Sequence, residues 1–330
     1  MANEQIPSLE SHLHSIIPDG TLPLLRQDVL PKLLHSITDV AKVLRNEATV
    51  SQVGTANAFG DDQLNVDVLT EKAIRSAIAQ CPSIVTASSE EDPVERSTSP
   101  SGSAPPSGND EVYSLAFDPL DGSSIIAPNW TVGTIIGVWN APSAVKQHPS
   151  KQVAAILGVL GPRTTAVVAL RIPGCQPTCF EVAYGSQGDL QVVRPSIRLG
   201  DAPFKTRYFA PANLRTAAEN PKYMSLINHF IQEAYTLRYA GGLVPDIIHI
   251  LVKGHGVYVS PVTEKSKAKL RRLYELLPIA LIVECAGGLA VEPESGNTIL
   301  DREVQDTDER GGLICGTKEE VELAVKTLLG

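Results

Sequence analysis

The sequence is short of positive charge, of cysteine and of long apolar runs, and each shortage excludes a class of protein. There are 28 lysines and arginines against 37 aspartates and glutamates, which gives a formal net charge of −9. Because a surface of that sign repels a phosphate backbone, we expect no general binding of nucleic acid. Taken at face value, the same reasoning argues against any anionic substrate. No apolar run approaches the ~20 residues of a membrane span, so no membrane partner is expected either.

Cysteine usage and the opening residues point to a reducing compartment. Five cysteines in 330 residues are few and odd in number, which is not typical of a disulfide scaffold. The first residues, Met-Ala-Asn-Glu-Gln-Ile-Pro, have neither the basic-then-apolar layout of a signal peptide nor the Arg-rich and Ser-rich composition of a transit sequence. We therefore expect a cytoplasmic location.

The apolar content and the length indicate a folded α/β protein. Hydrophobic residues make up 43% of the chain, far more than a disordered chain contains, and the length suggests two lobes or one large α/β domain. A break near Gly200 and Pro203 predicts an N-terminal lobe over residues 1–198 and a C-terminal lobe over residues 199–330. Within these lobes we expect helices layered on sheets.

Periodicity in the apolar residues predicts the individual elements. Helices are predicted over residues 24–45, 62–79, 220–234 and 264–276. Strands are predicted over residues 83–87, 112–117, 131–139, 152–160 and 163–171, the second of them stopping at Asp118. Thr317-Lys-Glu-Glu320 predicts a capping box at the start of the last helix. Residues 93–110, rich in Ser, Pro and Gly, predict a flexible surface loop.

Three acidic clusters stand beside the predicted ends of these elements. They are Gly60-Asp61-Asp62 with Asp67, Ser89-Glu90-Glu91-Asp92, and Phe117-Asp118-Pro-Leu-Asp121-Gly122-Ser123-Ser124. An Asp-Gly pair alone usually marks only a turn, and a Glu-Glu pair is usually solvated surface. Two acidic motifs that follow separate apolar strands are harder to explain in that way, so we favour a shared site.

The third cluster has the parts of a metal and phosphate site. Asp118 at a strand end and Asp121 beyond a proline-fixed turn can direct two carboxylates at one centre. Gly122 lets the backbone pass close to a ligand, and the N–H groups of the Gly-Ser-Ser segment can cradle an anion. Carboxylate oxygens select Mg²⁺, with Mn²⁺ as a substitute, and the lack of histidine and thiolate disfavours zinc. These parts indicate metal-assisted phosphate hydrolysis.

The string Asp118-Pro-Leu-Asp-Gly-Ser-Ser124 resembles the signature of the fructose-1,6-bisphosphatase and sedoheptulose-1,7-bisphosphatase superfamily. Further matching elements fall in the family's order: Gly60 to Asp67, Ser89-Glu-Glu91, Thr131-Val-Gly-Thr134, Tyr235 to Tyr239 with Gly241 to Asp246, and Lys269 to Glu275. The resemblance implies a Mg²⁺-dependent sugar bisphosphatase, a phosphoric monoester hydrolase with a layered α-β-α-β-α fold.

The resemblance also implies roles for the acidic residues. The metals would be held by Glu90, Glu91, Asp118, Asp121 and Glu275. Asp61 and Asp67 would lie beside them, and Asp67 or Glu91 would help to deprotonate the attacking water.

The contacts to the substrate are implied in the same way. The cleaved phosphate would be bound by Gly122, Ser123, Ser124 and Arg271. The sugar would be lined by Tyr239, Gly241, Gly242 and Leu243 and held by Lys269. Arg238 resembles an arginine that reaches the second phosphate of a neighbouring subunit's substrate, so we expect a homodimer or a homotetramer.

Departures from the fructose enzymes favour sedoheptulose 1,7-bisphosphate, hydrolysed at its 1-phosphate to sedoheptulose 7-phosphate. The fructose enzymes hold the distal phosphate with tyrosines, where this chain has Pro211-Ala-Asn-Leu-Arg215 and a serine, Ser260, before Pro261. Because serine is shorter than tyrosine, a different distal geometry is expected, with Arg215 supplying charge. Fructose-1,6-bisphosphatase activity, or dual specificity, is the alternative.

Other departures keep rival interpretations open. Plastid sedoheptulose enzymes carry a switched cysteine pair before the metal motif, but no cysteine precedes Cys81 here, which favours a cytosolic enzyme. Ala127-Pro128 replaces the family's aspartate after Gly-Ser-Ser, which admits a non-catalytic sugar-phosphate-binding protein as a rival, but we expect activity to survive because all seven site carboxylates are intact. An inositol-type or nucleotide-type phosphatase is disfavoured, because its Trp-Asp motif is missing and Glu275 stands in its place.

Overall fold

A computed structural model describes residues 6–56, 60, 62–98, 111–185 and 188–330. Asp61 and residues 99–110, most of the predicted flexible loop, lie outside the described residues. Within the described ranges the α-helices are α1 (Leu9–Ile16), α2 (Leu30–Asn46), α3 (Asn65–Ile78), α4 (Ser123–Ile126), α5 (Pro221–Gln232), α6 (Leu243–Lys253), α7 (Leu277–Cys285) and α8 (Lys318–Leu329).

The strands in the same ranges are β1 (Gln52–Ala56), β2 (Asp62–Leu64), β3 (Ile84–Ser89), β4 (Arg96–Ser97), β5 (Tyr113–Asp121), β6 (Val132–Trp139), β7 (Gln152–Leu160), β8 (Thr164–Leu170), β9 (Thr178–Tyr184), β10 (Leu190–Arg194), β11 (Tyr208–Pro211), β12 (Thr236–Leu237), β13 (Val257–Ser260), β14 (Leu270–Arg271), β15 (Leu289–Val291), β16 (Arg310–Gly311) and β17 (Leu313–Gly316). Shorter helical turns lie at Leu25–Val29, Pro149–Lys151, Leu214–Ala218, Arg272–Leu276 and Ile299–Asp301.

The two larger sheets and three groups of helices form five layers, and β1 with β2 and β14 with β16 form two further two-stranded sheets. The larger sheet has the strand order β10-β9-β8-β7-β6-β5-β3-β4, and the smaller has the order β12-β11-β13-β17-β15. Helices α1, α2 and α3 cover the outer face of the larger sheet, and α5 and α8 cover the outer face of the smaller one. Helices α6 and α7 lie between the two sheets. The α-β-α-β-α arrangement expected from the sequence is confirmed.

The central strands of the larger sheet are apolar on both faces because helices cover both faces. Every residue of β5 and β6 is buried. Along β5, Leu115 and Phe117 belong to the core under α1–α3, whereas Ala116 belongs to the core shared with α6 and α7. Strands covered on both sides therefore appear in the sequence as continuous apolar runs rather than as alternating patterns. The strands predicted over residues 131–139, 152–160 and 163–171 are confirmed.

Helix α7 occupies the centre of the molecule. All of its residues except Glu284 are buried, because sheets lie on both sides of it. A helix that is apolar on every side is a buried core helix when it is this short. Across the part of the chain that the structure describes, no helix combines the length and the apolarity needed to cross a bilayer.

The amphipathic segments near the N-terminus and in the C-terminal half form the helices predicted for them. Residues 24–45 form the turn Leu25–Val29 followed by α2, and the apolar stripe of α2 is buried against the sheet. Residues 62–79 form the short strand β2 and then α3, and residues 220–234 form α5. The local periodicity sufficed here because one face of each helix packs on a sheet.

Strand β5 continues past Asp118, where the sequence predicted that it would stop. It runs to Asp121, and its pairing with β6 shifts register between these two aspartates. The shift accommodates Pro119, which has no N–H to donate to a neighbouring strand. Thr134 on β6 donates its hydroxyl to the Pro119 carbonyl at 2.9 Å. Both aspartates therefore lie on one irregular strand rather than on either side of a turn.

The prediction of a helix over residues 264–276 is wrong. Residues 261–269 form no helix, and Leu270–Arg271 is the strand β14, which pairs with Arg310–Gly311. Arg272–Leu276 forms a single wide π-helical turn that leads directly into α7. Pairing with a segment some forty residues away in the chain overrides the local charge pattern, which is a weak determinant by itself.

The last helix begins after Thr317 as predicted, but the predicted capping box does not form. The Thr317 hydroxyl accepts a hydrogen bond from the Gly256 N–H at 3.0 Å instead of from its own helix. Glu320 accepts from the Tyr235 hydroxyl at 2.6 Å. Both side chains of the motif therefore join α8 to neighbouring elements, because these partners compete successfully for the capping groups.

Gly133 on β6 lies so close to α6 that no side chain fits between them. An added Cβ would lie 2.3 Å from the Val244 Cβ. We expect Gly133→Ala to lower the free energy of unfolding by about 1–3 kcal/mol, measured by urea denaturation, because α6 must shift. Gly200→Ala is the matched control, since its added Cβ would meet nothing closer than 3.9 Å, and it should change stability by less than about 0.5 kcal/mol. Equal losses in the two variants would contradict this close packing.

Candidate active site

Parallel pairing of β3 with β5 brings two of the acidic clusters to one edge of the larger sheet. Ser89 at the end of β3 pairs with Phe117 of β5. The Glu90 N–H donates to the Phe117 carbonyl at 3.0 Å. Since parallel strands end at the same edge, Glu90 and Glu91 leave β3 beside Asp118.

A carboxylate from a third segment of the chain, in the middle helical layer, reaches the same end of the strands. Glu275 lies in the π-helical turn before α7, and its carboxylate accepts the Arg271 N–H at 2.5 Å. Carboxylate oxygens of Asp118, Asp121 and Glu275 lie within 4.8 Å of one another, and all three side chains are buried. Glu275 lies far from the two aspartates in the sequence, and the layering brings it to them.

Burial and mutual repulsion act on all three carboxyl groups. Burial, and after it the charge of Glu90, raises the pKa of Asp118 and of Glu275 well above the usual values. Burial raises the pKa of Asp121 to about 6, although the N–H groups of Val244 and Leu243 oppose the rise. Each anionic group is therefore destabilised until a cation neutralises it.

The donor set of this cluster fits a hard divalent cation. Every candidate ligand is a carboxylate oxygen, which suits Mg²⁺ or Mn²⁺ and disfavours zinc. The three oxygens are close enough to contact one ion, and burial leaves water little access to stabilise them instead. Glu90 and Glu91 stand at the same edge and could complete the set.

Asp67 and Glu91 form a second acidic pair next to this cluster. Asp67 accepts the Leu64 N–H at 2.9 Å through Oδ2, while its Oδ1 is buried without a hydrogen-bond partner among the described residues. Burial raises the pKa of Asp67 to about 6, with Glu90 adding to the rise. Burial raises the pKa of Glu91 to about 7, although the hydrogen bond from Gln63 opposes it. Groups with pKa values this close to neutrality can exchange a proton at neutral pH.

Arg271, predicted to bind phosphate, is buried and engaged with carboxylates. Its Nε lies 3.1 Å from a Glu90 oxygen, and its NH1 lies 2.7 Å from an Asp308 oxygen. The guanidinium is 1% exposed. Arg271 therefore contributes positive charge among the buried carboxylates rather than at the protein surface.

The predicted phosphate turn follows directly after Asp121. Gly122 has φ +97°, a left-handed conformation that favours glycine. A Cβ there would also meet Ile125 and Val132 at 3.2 Å. Ser123 and Ser124 open the short helix α4, and both are exposed beside the carboxylates.

The predicted sugar-contacting residues form one loop, Tyr239 to Leu243, which we term the Gly-Gly loop. The N–H groups of Leu243 and Val244 donate to the two Asp121 oxygens at 3.1 Å and 2.7 Å. Asp121 thereby links the Gly-Gly loop and the start of α6 to the carboxylate cluster. Gly241 and Gly242 lie within this connection, and Tyr239 is 46% exposed.

The predicted cationic contacts lie at the surface. Arg215, Arg238 and Lys269 are all exposed. The charge of Arg215 opposes the rise that burial causes in the pKa of Tyr239, so Arg215 acts on the Gly-Gly loop. Arg238 follows the edge strand β12, donates to the Leu237 carbonyl at 2.8 Å, and lies 5.8 Å from the centre of the Tyr208 ring.

Three residues that take part in the site's contacts received no role from sequence reasoning. Gln63 donates to Glu91, Asp308 pairs with Arg271, and Asp246 accepts hydrogen bonds from the Gly-Gly loop. Asp246 carried a usable signal, since an acid in the first turn of a helix after two glycines often binds nearby N–H groups. Gln63 and Asp308 carried none, because only tertiary structure brings them to the site.

Comparisons with known proteins agree with this architecture. A family model described as the fructose-1,6-bisphosphatase N-terminal domain matches residues 22–188, and one described as the C-terminal domain matches residues 202–328. The chain is 38% identical to the chloroplastic sedoheptulose-1,7-bisphosphatase of Triticum aestivum, over 98% of this chain and 77% of that protein. It is 33% identical to the class 1 fructose-1,6-bisphosphatase of Syntrophotalea carbinolica, over 88% of each chain.

A solved structure is similar over nearly the whole chain. The holo form of fructose-1,6-bisphosphatase from Leishmania major superposes with a TM-score of 0.82 and 26% identity, over 98% of both chains. The similarity covers both sheets and the helical layer between them.

Substitution of Asp118 tests whether the carboxylate cluster binds a divalent cation. We expect Asp118→Asn to weaken Mg²⁺ or Mn²⁺ binding more than about 10-fold, since even groups behind metal ligands cost 10–100-fold. Without metal, the variant should melt at the same temperature as the wild type or higher, because one of three mutually repelling charges is gone. Titration calorimetry and thermal melts measure the two effects. Asp39→Asn, on the exposed surface of α2, is the control, and unchanged metal affinity in Asp118→Asn would contradict the assignment.

Proposed function

The chain belongs to the fructose-1,6-bisphosphatase family and is a phosphoric monoester hydrolase of the sugar bisphosphatase kind; we propose that it hydrolyses the 1-phosphate of sedoheptulose 1,7-bisphosphate. The products are sedoheptulose 7-phosphate and phosphate. The observation that carries the proposal is the buried cluster of Asp118, Asp121 and Glu275, together with the Gly-Ser-Ser turn that follows directly after Asp121. A cation site next to an anion-binding turn is the arrangement that phosphate hydrolysis requires.

The proposed cofactor is Mg²⁺, with Mn²⁺ as a substitute. It would be held by Glu90, Glu91, Asp118, Asp121 and Glu275. When bound, divalent cations polarise the phosphoryl oxygens and lower the pKa of the attacking water.

The chain's own acids supply the proton transfer. We assign Asp67 or Glu91 as the group that takes a proton from the attacking water. The Asp67 Oδ1 atom supports this role, since it is buried and has no hydrogen-bond partner among the described residues. A base whose pKa lies near the working pH transfers protons most effectively, and burial brings these two carboxyl groups into that range. Asp61 lies outside the described residues, and its role beside the metals stays a prediction.

Binding of the cleaved phosphate is assigned to the turn after Asp121. The backbone N–H groups of Gly122, Ser123 and Ser124 and the two serine hydroxyls would surround its oxygens, since both serines are exposed next to the cluster. Arg271 would stabilise its negative charge from the buried side through the network with Glu90. Tyr239, Gly241, Gly242 and Leu243 would line the sugar, with Lys269 holding it from the surface.

The choice of sedoheptulose bisphosphate rests on the distal end of the site. Asn213 donates to the Pro261 carbonyl at 2.9 Å and accepts from the Ser266 hydroxyl at 2.8 Å. The two segments that depart from the fructose enzymes are therefore adjacent, and the serine at position 260 is shorter than a tyrosine. A longer sugar would extend toward these segments, with Arg215 binding its far phosphate. Fructose bisphosphatase or dual specificity remains the second candidate, since relatives of both kinds match.

The proposed assembly is a homodimer or a homotetramer. Arg238 supports it, since this arginine is exposed beyond the edge strand β12 between the exposed apolar residues Leu237 and Tyr239. From there it would reach the distal phosphate in a neighbouring subunit. The two proposed lobes, residues 1–198 and 199–330, would each contain one of the two larger sheets. The cytoplasmic location stays a prediction, and the Triticum aestivum relative is chloroplastic by name.

Turnover of the two sugars tests the reaction and the substrate together. We expect hydrolysis of sedoheptulose 1,7-bisphosphate with Mg²⁺ or Mn²⁺, a higher kcat/KM than for fructose 1,6-bisphosphate, and no turnover in a chelator. Phosphate release measures all three. A preference for fructose would reassign the substrate. Binding of sugar phosphate without hydrolysis of either compound would favour the non-catalytic protein that Ala127 suggests.

Arg215→Ala tests the distal phosphate contact. We expect KM for the bisphosphate to rise about 10-fold or more, since a lost charge-assisted hydrogen bond costs roughly 1.5–3 kcal/mol. Hydrolysis of p-nitrophenyl phosphate, which has no second phosphate, should not change. Arg45→Ala, on the exposed end of α2, is the control. An equal effect on both substrates would show that Arg215 does not bind the distal phosphate.

A further inference from the structure

Asp246 is a buried carboxylate whose hydrogen bonds go to the Gly-Gly loop. It lies in the first turn of α6 and is 4% exposed. Its Oδ1 accepts the Ala240 N–H at 2.6 Å, and its Oδ2 accepts the Gly241 N–H at 3.2 Å. Both donors precede the helix, so Asp246 does not cap α6. It stabilises the loop rather than the helix to which it belongs.

The helix start itself is satisfied by a different acid. The Leu243 and Val244 N–H groups donate to Asp121, at the end of β5. The Gly-Gly loop is thus held by two buried carboxylates, Asp246 at its middle residues and Asp121 where it enters α6. From Ala240 to Val244, every backbone N–H except that of Gly242 donates to one of these two side chains, which leaves the loop little freedom.

The conformation held in this way is one that the chain would not adopt unaided. Gly241 has φ +95°, and a Cβ at Gly242 would approach Ile125 and Pro245 to 3.0 Å. A loop with two glycines has a large conformational entropy when unrestrained, so fixed acceptors are needed to order it. Burial, and after it the charge of Asp246, raises the pKa of Tyr239, which indicates that Asp246 also lies near that side chain.

We infer that Asp246 is a positioning residue for the sugar: its two hydrogen bonds hold the Gly-Gly loop in the shape that receives the sugar of the substrate. The inference rests on the proposed function, since that function makes the loop a sugar contact. Asp246 touches neither the phosphate turn nor the carboxylate cluster through any of these bonds. Its contribution should therefore affect recognition of the sugar and not the cleavage of a phosphate ester as such.

Asp246→Asn tests the inference with nearly unchanged volume. Asparagine offers one oxygen where aspartate offers two, and its NH₂ group would face a backbone donor. We expect KM for sedoheptulose 1,7-bisphosphate to rise about 10-fold, with kcat within about twofold. Hydrolysis of p-nitrophenyl phosphate should be unchanged. Amide hydrogen exchange at Ala240 and Gly241 should become faster than in the wild type.

Glu111→Gln is the matched control. Glu111 is another buried carboxylate that accepts two consecutive backbone N–H groups, those of Leu24 and Leu25, on the far side of the larger sheet. This variant should lower the melting temperature but leave KM unchanged. Asp246→Glu, which keeps both oxygens and shifts them by one methylene, guards against a failure of Asp246→Asn to fold and should also raise KM selectively.

The outcomes separate this inference from the function on which it rests. A wild-type protein that hydrolyses neither sugar bisphosphate would overturn both. Normal wild-type turnover with an unchanged KM in both Asp246 variants would overturn the inference alone. So would a loss that affects p-nitrophenyl phosphate equally, because it would mean that Asp246 serves only the stability of the fold.

Discussion

The repulsion among buried carboxylates is the constraint on which the rest of the structure depends. The carboxylates of Asp118, Asp121 and Glu275 are so close together that their negative charges repel strongly unless a positive charge compensates them. Burial removes most of the water that could screen this repulsion. The fold tolerates the arrangement because many other contacts stabilise it: a parallel strand pair, a central apolar helix and backbone N–H groups aimed at the acids. The cluster lowers the free energy of unfolding at the place where a cation can bind, as is usual for functional sites.

The same constraint explains why net charge misleads about the substrate. The formal charge of −9 describes the whole surface, but a phosphorylated sugar meets only one cleft. Roughly two or three divalent ions would bring about +4 to +6 to that cleft, beside Arg271 and the exposed Arg215. The exclusion of nucleic acid concerns long polyanions that contact an extended surface. It does not extend to a small anion that binds next to the metals.

Local patterns predicted most of the helices and strands and the meeting of the acidic clusters, while the order of the five layers came from the resemblance to the family. Glu90 and Asp118 each follow an apolar strand, and a parallel pairing of those strands was enough to join them. The environment of Glu275 was not predictable in this way, since β14 forms only through pairing with Arg310–Gly311. Arg271 was expected on a helix and in contact with the cleaved phosphate, whereas it lies on β14 and is buried by tertiary contacts with Glu90 and Asp308. Local patterns carry no information about such partners.

The uninterrupted buried stretch from Arg271 to Val283 sets how the site can change over evolutionary time. Glu275 sits within it, and the helix that follows packs against both sheets. Such interiors are close-packed, so a substitution in this stretch strains two cores at once and moves the carboxylate with them. Amino-acid substitutions are therefore tolerated most readily at the exposed rim, around Arg215, Arg238 and Lys269. Substrate preference can diverge there while the hydrolytic centre stays the same.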